Sequence, residues 1–432
     1  MLNYSSHNRT SYHNLLRSLL IVVMGLLNGC QSNVTDKARQ TVADFAAGIS
    51  NLPSTVLPGQ FESTAYIDSD FRIPGASIEP DGGHTVIRTY FSTNRSFNLE
   101  SESANFFGTR RIEEVTFGKS YSILLRAGAS FDIEVDSLVN VNIIDAPDAP
   151  KTLAHNEIQE REDFTEDVVT WIERSSDSSA LLYIHGFNTS FADAANNTAK
   201  LGYDLGFPGS LFFFSWPARG DSPSYLADRE AMLNSQLALR SMIQDIFTLT
   251  PVRDLYIIAE GMGATLVSHT LKNTFRVNPE YRNQIREIVL IAPDIEKTEF
   301  RNDLVPFIAS DEYPLTLYVS SNNPDLNFAK DFYTRPALES TEESSTLPVT
   351  KKPVIPDLAG NSENGVFLAE HVETIEVGNA NTSLAAAAGY ADTGAILIDI
   401  RNLIHFGNRA NSRSQLTAQL QTEPIHWAYT PD

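Results

Sequence analysis

The stretch "YIIAEGMGAT", residues 256–265, is an aromatic and β-branched run that meets two glycines and continues in small residues. It reads as a buried strand, a tight turn and the start of a helix. A sharp strand-to-helix turn is where the G-x-S-x-G arrangement exposes a serine oxygen above a sheet. In this chain the central position is Gly261, which carries no hydroxyl. Acyl chemistry there would also need a histidine to carry the proton, an acid to orient it, and amide donors for an oxyanion. The backbone amides of Phe187, in the "HGFN" stretch that also holds His185 and Gly186, and of Met262 are candidates for those donors. Asp294 and Asp325 lie just past apolar runs, where an acid would stand, whereas His371 and His405 fall outside the loop that would deliver a base. Glu260, Ser215, Ser268 and Ser320 could take over as nucleophile. Each would need a base within about 3 Å and oriented with it.

Such groups need a frame. The apolar runs 180–184, 211–215, 255–259, 288–292 and 315–319, with a weaker one at 372–377, lack polar alternation, as expected of parallel strands covered on both faces. Between them Phe191, Ala194, Ala195, Thr198, Gly202 and Leu205 recur at helical spacing, as do Ala264, Val267, Leu271 and Phe275. Strand and helix alternating in this way predict an α/β fold, a doubly wound and mostly parallel sheet. The stretches 84–95 and 113–125 read as an N-terminal β-strand extension. After them Asp132, Glu134 and Asp136 share one face of "FDIEVDSL", a solvated strand face or, as the alternative, a calcium site. The aperiodic segment 336–365 is expected to be a surface insertion, 84–408 the folded domain and 409–432 a C-terminal tail.

Several motifs together carry a resemblance. "YIHGFNTSFADAANNTAKLGYDLGFPG" and "FFSWPARGDSPSYLADRE", with "TYFSTNR", "FFGTRR", "VTFGKSYSI", "IAPDIE" and "YVSSNNPDL", resemble a bacterial α/β-hydrolase family of unknown function over about His84 to Asn408. That family reads His-Gly-Tyr-Asn, Ser-Trp-Pro-Ser and Ala-His-Ser-Met-Gly in the corresponding places. The resemblance implies an α/β-hydrolase fold and ester-like substrates, and it implies three departures. Gly261 stands for the nucleophile, Asn323 for the acid and Ala387 for the histidine. A two-residue slip of register would instead make Asp325 the acid. The expectation is a catalytically inactive relative that acts by binding a small acyl ligand or an envelope protein. An esterase-like hydrolase with an unconventional nucleophile is the alternative.

The chain is acidic, with 32 Lys+Arg against 54 Asp+Glu and a net charge of -22, which opposes nucleic acid as a partner. No H-E-x-x-H spacing or phosphate loop occurs, so neither a metal nor a cofactor is expected. Trp216 and Tyr225 read as packing groups or, alternatively, as part of a partner surface. The one cysteine, Cys30, ends "LNGC" after Arg9, Arg17 and the short apolar run 19–27, too short to cross a bilayer as a helix of about 20 residues. This resembles a lipoprotein signal (1–29) with Cys30 as the lipidated mature N-terminus, followed by a partly ordered tether (30–83). The resemblance implies membrane anchoring at the cell envelope, on the periplasmic side, with the outer membrane favoured.

Overall fold

The uninterrupted apolar runs lie at the middle of a 12-stranded sheet. The computed structural model describes residues 76–78, 84–97, 107–125, 131–133, 142–144, 152–174, 177–219, 224–334, 357–378 and 394–429. Its strands are β1 (Ala76–Ile78), β2 (His84–Phe97), β3 (Phe107–Leu125), β4 (Phe131–Ile133), β5 (Asn142–Ile144), β6 (Thr152–Gln159) and β7 (Ser179–Ile184). They continue with β8 (Ser210–Ser215), β9 (Asp254–Glu260), β10 (Ile285–Ile291), β11 (Leu315–Val319), β12 (Val372–Glu376), β13 (Leu416–Gln419) and β14 (His426–Tyr429). The order in the sheet is β13-β14-β12-β11-β10-β9-β7-β8-β2-β3-β6-β5. From β2 to β14 neighbours are parallel, whereas β3, β6 and β5 extend the sheet antiparallel beyond β2. Strands β1 and β4 pair separately.

Every residue of β7, β8 and β11 is buried, which explains why these strands show no alternation. The principal helices are α1 (Arg161–Arg174), α2 (Phe191–Leu205), α3 (Tyr225–Leu233), α4 (Gln236–Leu249), α5 (Gly261–Val277), α6 (Pro324–Thr334) and α7 (Gly394–Phe406). Helix α2 is framed by local chemistry. Ser190 and Asp193 form a reciprocal capping box, and Gly206, at φ 58°, closes the far end with left-handed backbone.

The chain places β8 on one side of β7 and β9 on the other, so the connections leave in opposite directions at this point. A crevice outside the carboxyl ends of two such strands is where doubly wound sheets bind ligands. Gly186 follows β7 and Gly261 follows β9 at this crevice.

Two sequence expectations are corrected. The segment after Asn408 is no tail: β13 and β14 add to the sheet edge, with Ile375 opposite Trp427 in register. They are four residues each, too short for a period to show, and although β13 pairs with the nearby β14, it is the distant β12 that ties the pair to the sheet. Within the 336–365 insertion, residues 358–362 are also no surface loop, whereas Glu363, Asn364 and Gly365 are exposed as expected. Leu358, Ala359 and Asn361 are buried, and Gly360 lies so close that an added Cβ would come within 2.2 Å of the Ala292 carbonyl carbon. Residues 336–356, most of the 30–83 tether, Glu134 and Asp136 lie outside the described residues.

Candidate functional site

The turn between β9 and α5 keeps the shape of a nucleophile elbow. Gly261 adopts φ +48°, the left-handed region that costs an ordinary residue roughly 1–2 kcal/mol. A Cβ there would meet nothing nearer than the Gly186 Cα, at 3.9 Å, so the place of a nucleophilic side chain is open. Gly263 is fixed for a different reason: a Cβ would fall 2.3 Å from the His185 carbonyl oxygen, so α5 can approach β7 only with a glycine there. Asp294 donates its backbone N–H to the Gly261 carbonyl at 3.1 Å and ties the turn to the end of β10. Asn188 (φ 57°) and Ala292 (φ 45°) are also left-handed, in the loops after β7 and β10. Of the left-handed non-glycine residues among those described, Asn188 and Ala292 lie at strand ends around the crevice, a pattern associated with functional sites, and His371 (φ 62°) lies away from it.

The imidazole beside this turn is not poised as a base. His185 is fully buried and stacks on Trp216, with ring centroids 5.0 Å apart. Its Nδ1 faces the Gly186 carbonyl at 2.9 Å, which places the ring proton there, and Nε2 then accepts from the Ser215 hydroxyl at 3.3 Å. Arg95 Nε donates to the same Ser215 oxygen at 2.8 Å. Burial, reinforced by the Arg95 charge, pushes the His185 pKa down to about 3. A hydroxyl and an imidazole do meet, but both are sealed in the interior with a guanidinium on the hydroxyl. Trp216, also fully buried, donates to the His185 carbonyl at 2.9 Å, and Tyr225 is buried as well, so neither belongs to an exposed partner surface.

The other candidates are mostly committed elsewhere. Glu260 is buried and accepts from the Tyr183 hydroxyl at 2.5 Å, beneath the turn. Ser268 bonds back to the Ala264 carbonyl within α5, and Ser320 bonds the Gly378 carbonyl. His371 pairs with Asp311 where β12 begins, and His405 bonds the Leu205 carbonyl at the end of α2. Both therefore stand at the amino ends of the parallel strands, away from the carboxyl ends where Gly261 lies. Phe187 and Met262 are buried at the crevice, each directly after its turn glycine. Asn323 has a structural use: its side-chain oxygen accepts the Leu326 N–H at 2.9 Å, ahead of Pro324 at the head of α6. That is an N-cap, which asparagine performs as well as aspartate. Ala387 and Cys30 lie outside the described residues.

Two carboxyls approach the crevice. Asp294 is buried and accepts from the Tyr225 hydroxyl at 2.7 Å, with Arg229 at 4.0 Å. Burial raises its pKa, against the pull of Tyr225 and Arg229. Asp325, half-buried in the first turn of α6, is pushed up to about 6 by desolvation and then by the Asp294 charge. Phe187, Tyr225 and Phe328 form an aromatic group close by, with Phe187 and Phe328 stacked at 5.8 Å. Phe328 and Arg95 escape sequence reasoning. Phe328 sits in a short polar helix, and the Arg95 partners are mostly backbone carbonyls from distant loops, which leave no pattern in the sequence. Among the described residues no group of three or more His, Cys, Asp or Glu is arranged to hold a metal, and no helix is long and apolar enough to cross a membrane.

Residues 160–332 match the family described as an alpha/beta hydrolase of unknown function (DUF900). The fold is that of an α/β hydrolase. A relative from Nostoc sp. (strain PCC 7120), the uncharacterized protein alr1448, is 30% identical over 106 residues, which are 20% of this chain and 28% of that relative. The chain therefore matches less than a third of the length of this relative. Among solved structures, a chain described as a cell surface hydrolase of Lactobacillus plantarum is similar at 10% identity and TM-score 0.33, covering 55% of this chain and 95% of that one. An esterase of Pyrobaculum calidifontis is similar at 10% identity and TM-score 0.30, over 62% of this chain and 84% of the esterase.

Proposed function

We propose that this chain is a lipid-anchored envelope protein whose hydrolase-fold crevice binds a small acyl ligand or a protein partner without turning it over. The observation that carries the reading is Gly261: the elbow keeps its left-handed turn and its open space, with no atom there that can attack. The commitment of Asn323 to capping α6 and of Glu260 to Tyr183 supports it. The anchoring half rests on the "LNGC" sequence at Cys30. The test uses the full chain in non-ionic detergent, exposed to a fluorophosphonate probe and a panel of short-chain esters. The expected result is no stoichiometric labelling and no turnover above a heat-denatured control. Stoichiometric labelling, or turnover that a single substitution abolishes, would overturn the reading. Separately, Cys30→Ser should release the protein from membranes, and unchanged retention would refute lipidation.

The second reading, an esterase-like hydrolase with an unconventional nucleophile, is favoured by one observation. Asp325 is a carboxyl tuned to about 6 beside a second carboxyl at the crevice, in the range suited to acid–base work near neutral pH. Ester turnover lost in Asp325→Asn would establish it.

A further inference from the structure

A second hollow lies beyond the loop that lines the crevice. The adjoining ends of β2 and β3, the head of α2 and the segment after β8 border an open hollow of ≈ 540 Å³, a size that accommodates a small organic molecule. Arg95, Arg110 and Arg219 line it, together with Ser190, Phe97 and Phe107, and among the described residues no carboxylate does. In a chain with 54 acidic and 32 basic residues, three arginines around one space run against composition.

The state of each charge decides what the space can take. Arg95 is the back wall: only 1% exposed, it donates to the carbonyls of Thr189 (2.8 Å), Ala218 (2.9 Å) and Gly108 (3.3 Å), so its cation is held in place by dipoles. Arg110 and Arg219 are exposed, and neither forms an ion pair with a carboxylate among the described residues. The acids that act on Arg95, Asp228 and Asp193, are engaged on their own account. Asp228 accepts the Arg219 backbone N–H at 3.0 Å, and Asp193 accepts the Ser190 hydroxyl at 2.6 Å. A planar guanidinium matches a carboxylate or phosphate through two parallel hydrogen bonds, which makes arginine the usual residue for such groups. On the other side Phe97, 37% exposed, rests on the buried Phe107 with ring centroids 5.5 Å apart, and the pair forms an apolar wall.

We propose that this cavity binds an organic oxyanion, a carboxylate or phosphate carried on an apolar body, with the charged end at Arg110 and Arg219 and the body against Phe97 and Phe107. The site goes beyond the reading of the elbow and does not depend on it. The two adjoin, because Thr189 and Ser190 continue the same loop whose Gly186 faces Gly261.

Isothermal titration of the full chain in non-ionic detergent tests this, with phenyl phosphate and benzoate as probes, phenol as the uncharged control and inorganic phosphate as the headless one. Saturable binding of the two organic anions is expected, with phenol weaker by about tenfold or more. The double variant Arg110→Gln/Arg219→Gln should lose about the same factor for both anions. Phe97→Ala should weaken benzoate and leave inorganic phosphate unchanged. Sedimentation of the Cys30→Ser chain, free of detergent, with phosphatidylglycerol vesicles separates the sources: capture that is lost on adding the double substitution marks a lipid headgroup, and binding of phenyl phosphate without capture marks a soluble ligand. Equal affinity in wild type and double variant, phenol binding as well as benzoate, or no saturable binding of either organic anion would overturn the proposal. None of these outcomes bears on fluorophosphonate labelling, so the two readings fail separately.

Discussion

Gly261→Ser restores a hydroxyl to the elbow, and the structure sets what that should do. The added group has room, since its nearest contact would be the Gly186 Cα at 3.9 Å. What opposes it is the φ of +48°, at roughly 1–2 kcal/mol for a residue with a Cβ. A side chain also restricts the unfolded chain relative to glycine, which returns about 0.4–1 kcal/mol. The net loss is about 1 kcal/mol. Gly263→Ser is the contrasting control. Its Cβ would sit 2.3 Å from the His185 carbonyl oxygen and 2.6 Å from that of Ile184. Backbone of a central strand cannot turn aside as a side chain can, so the upper end of overpacking penalties, about 3 kcal/mol, applies. Urea midpoints should therefore fall in the order wild type, Gly261→Ser, Gly263→Ser. Gly261→Ser should hydrolyse p-nitrophenyl acetate no faster than wild type, because Asn323 is occupied as a helix cap and the His185 imidazole is buried with a pKa near 3. Turnover in that variant would refute the reasoning, and so would equal destabilisation by the two substitutions.

Asn323→Ala should lower stability by about 1 kcal/mol through loss of the α6 cap, whereas Asn323→Asp should be close to neutral; urea unfolding at pH 7 distinguishes a cap from a spent catalytic position. Asp325 is held at about 6 in the folded chain against an ordinary 3.8, so its ionisation withdraws stability as pH rises between those values. Asp325→Asn should accordingly be more stable than wild type at pH 8, with the difference gone by pH 4, as read from unfolding midpoints at the two pH values. His185 has the opposite sign: with its pKa lowered from 6.5 to about 3, the unfolded chain takes up the proton first. Stability should fall as pH drops below 6.5, by up to about 1.4 kcal/mol per pH unit from this group, and His185→Gln should flatten that slope in acid titrations.

The parts of this fold that can be read from sequence are those whose cause is local or repeated. Strands β7, β8 and β11 are buried on both faces and appear as unbroken apolar runs. The elbow shows because a strand ending on Gly261 and Gly263 has few other uses. Asn323 was legible in principle: an asparagine ahead of Pro324 and Asp325 is a helix-start signature, but reading that position as a lost acid hides it. The pairing of β14 with β12 and the seating of Gly360 on Ala292 depend on contacts between distant segments, so no window of sequence contains them. Arg95 is the extreme case, since a lone arginine at a strand end ordinarily reads as a solvated charge.

That arginine also constrains how chains similar to this one can change. One guanidinium fastens the hairpin, the approach to α2 and the segment after β8, so an insertion in any of the three must leave the other two in register or surrender the clasp. Relatives lacking an arginine here are accordingly expected to differ in all three loops together, as a single inherited block.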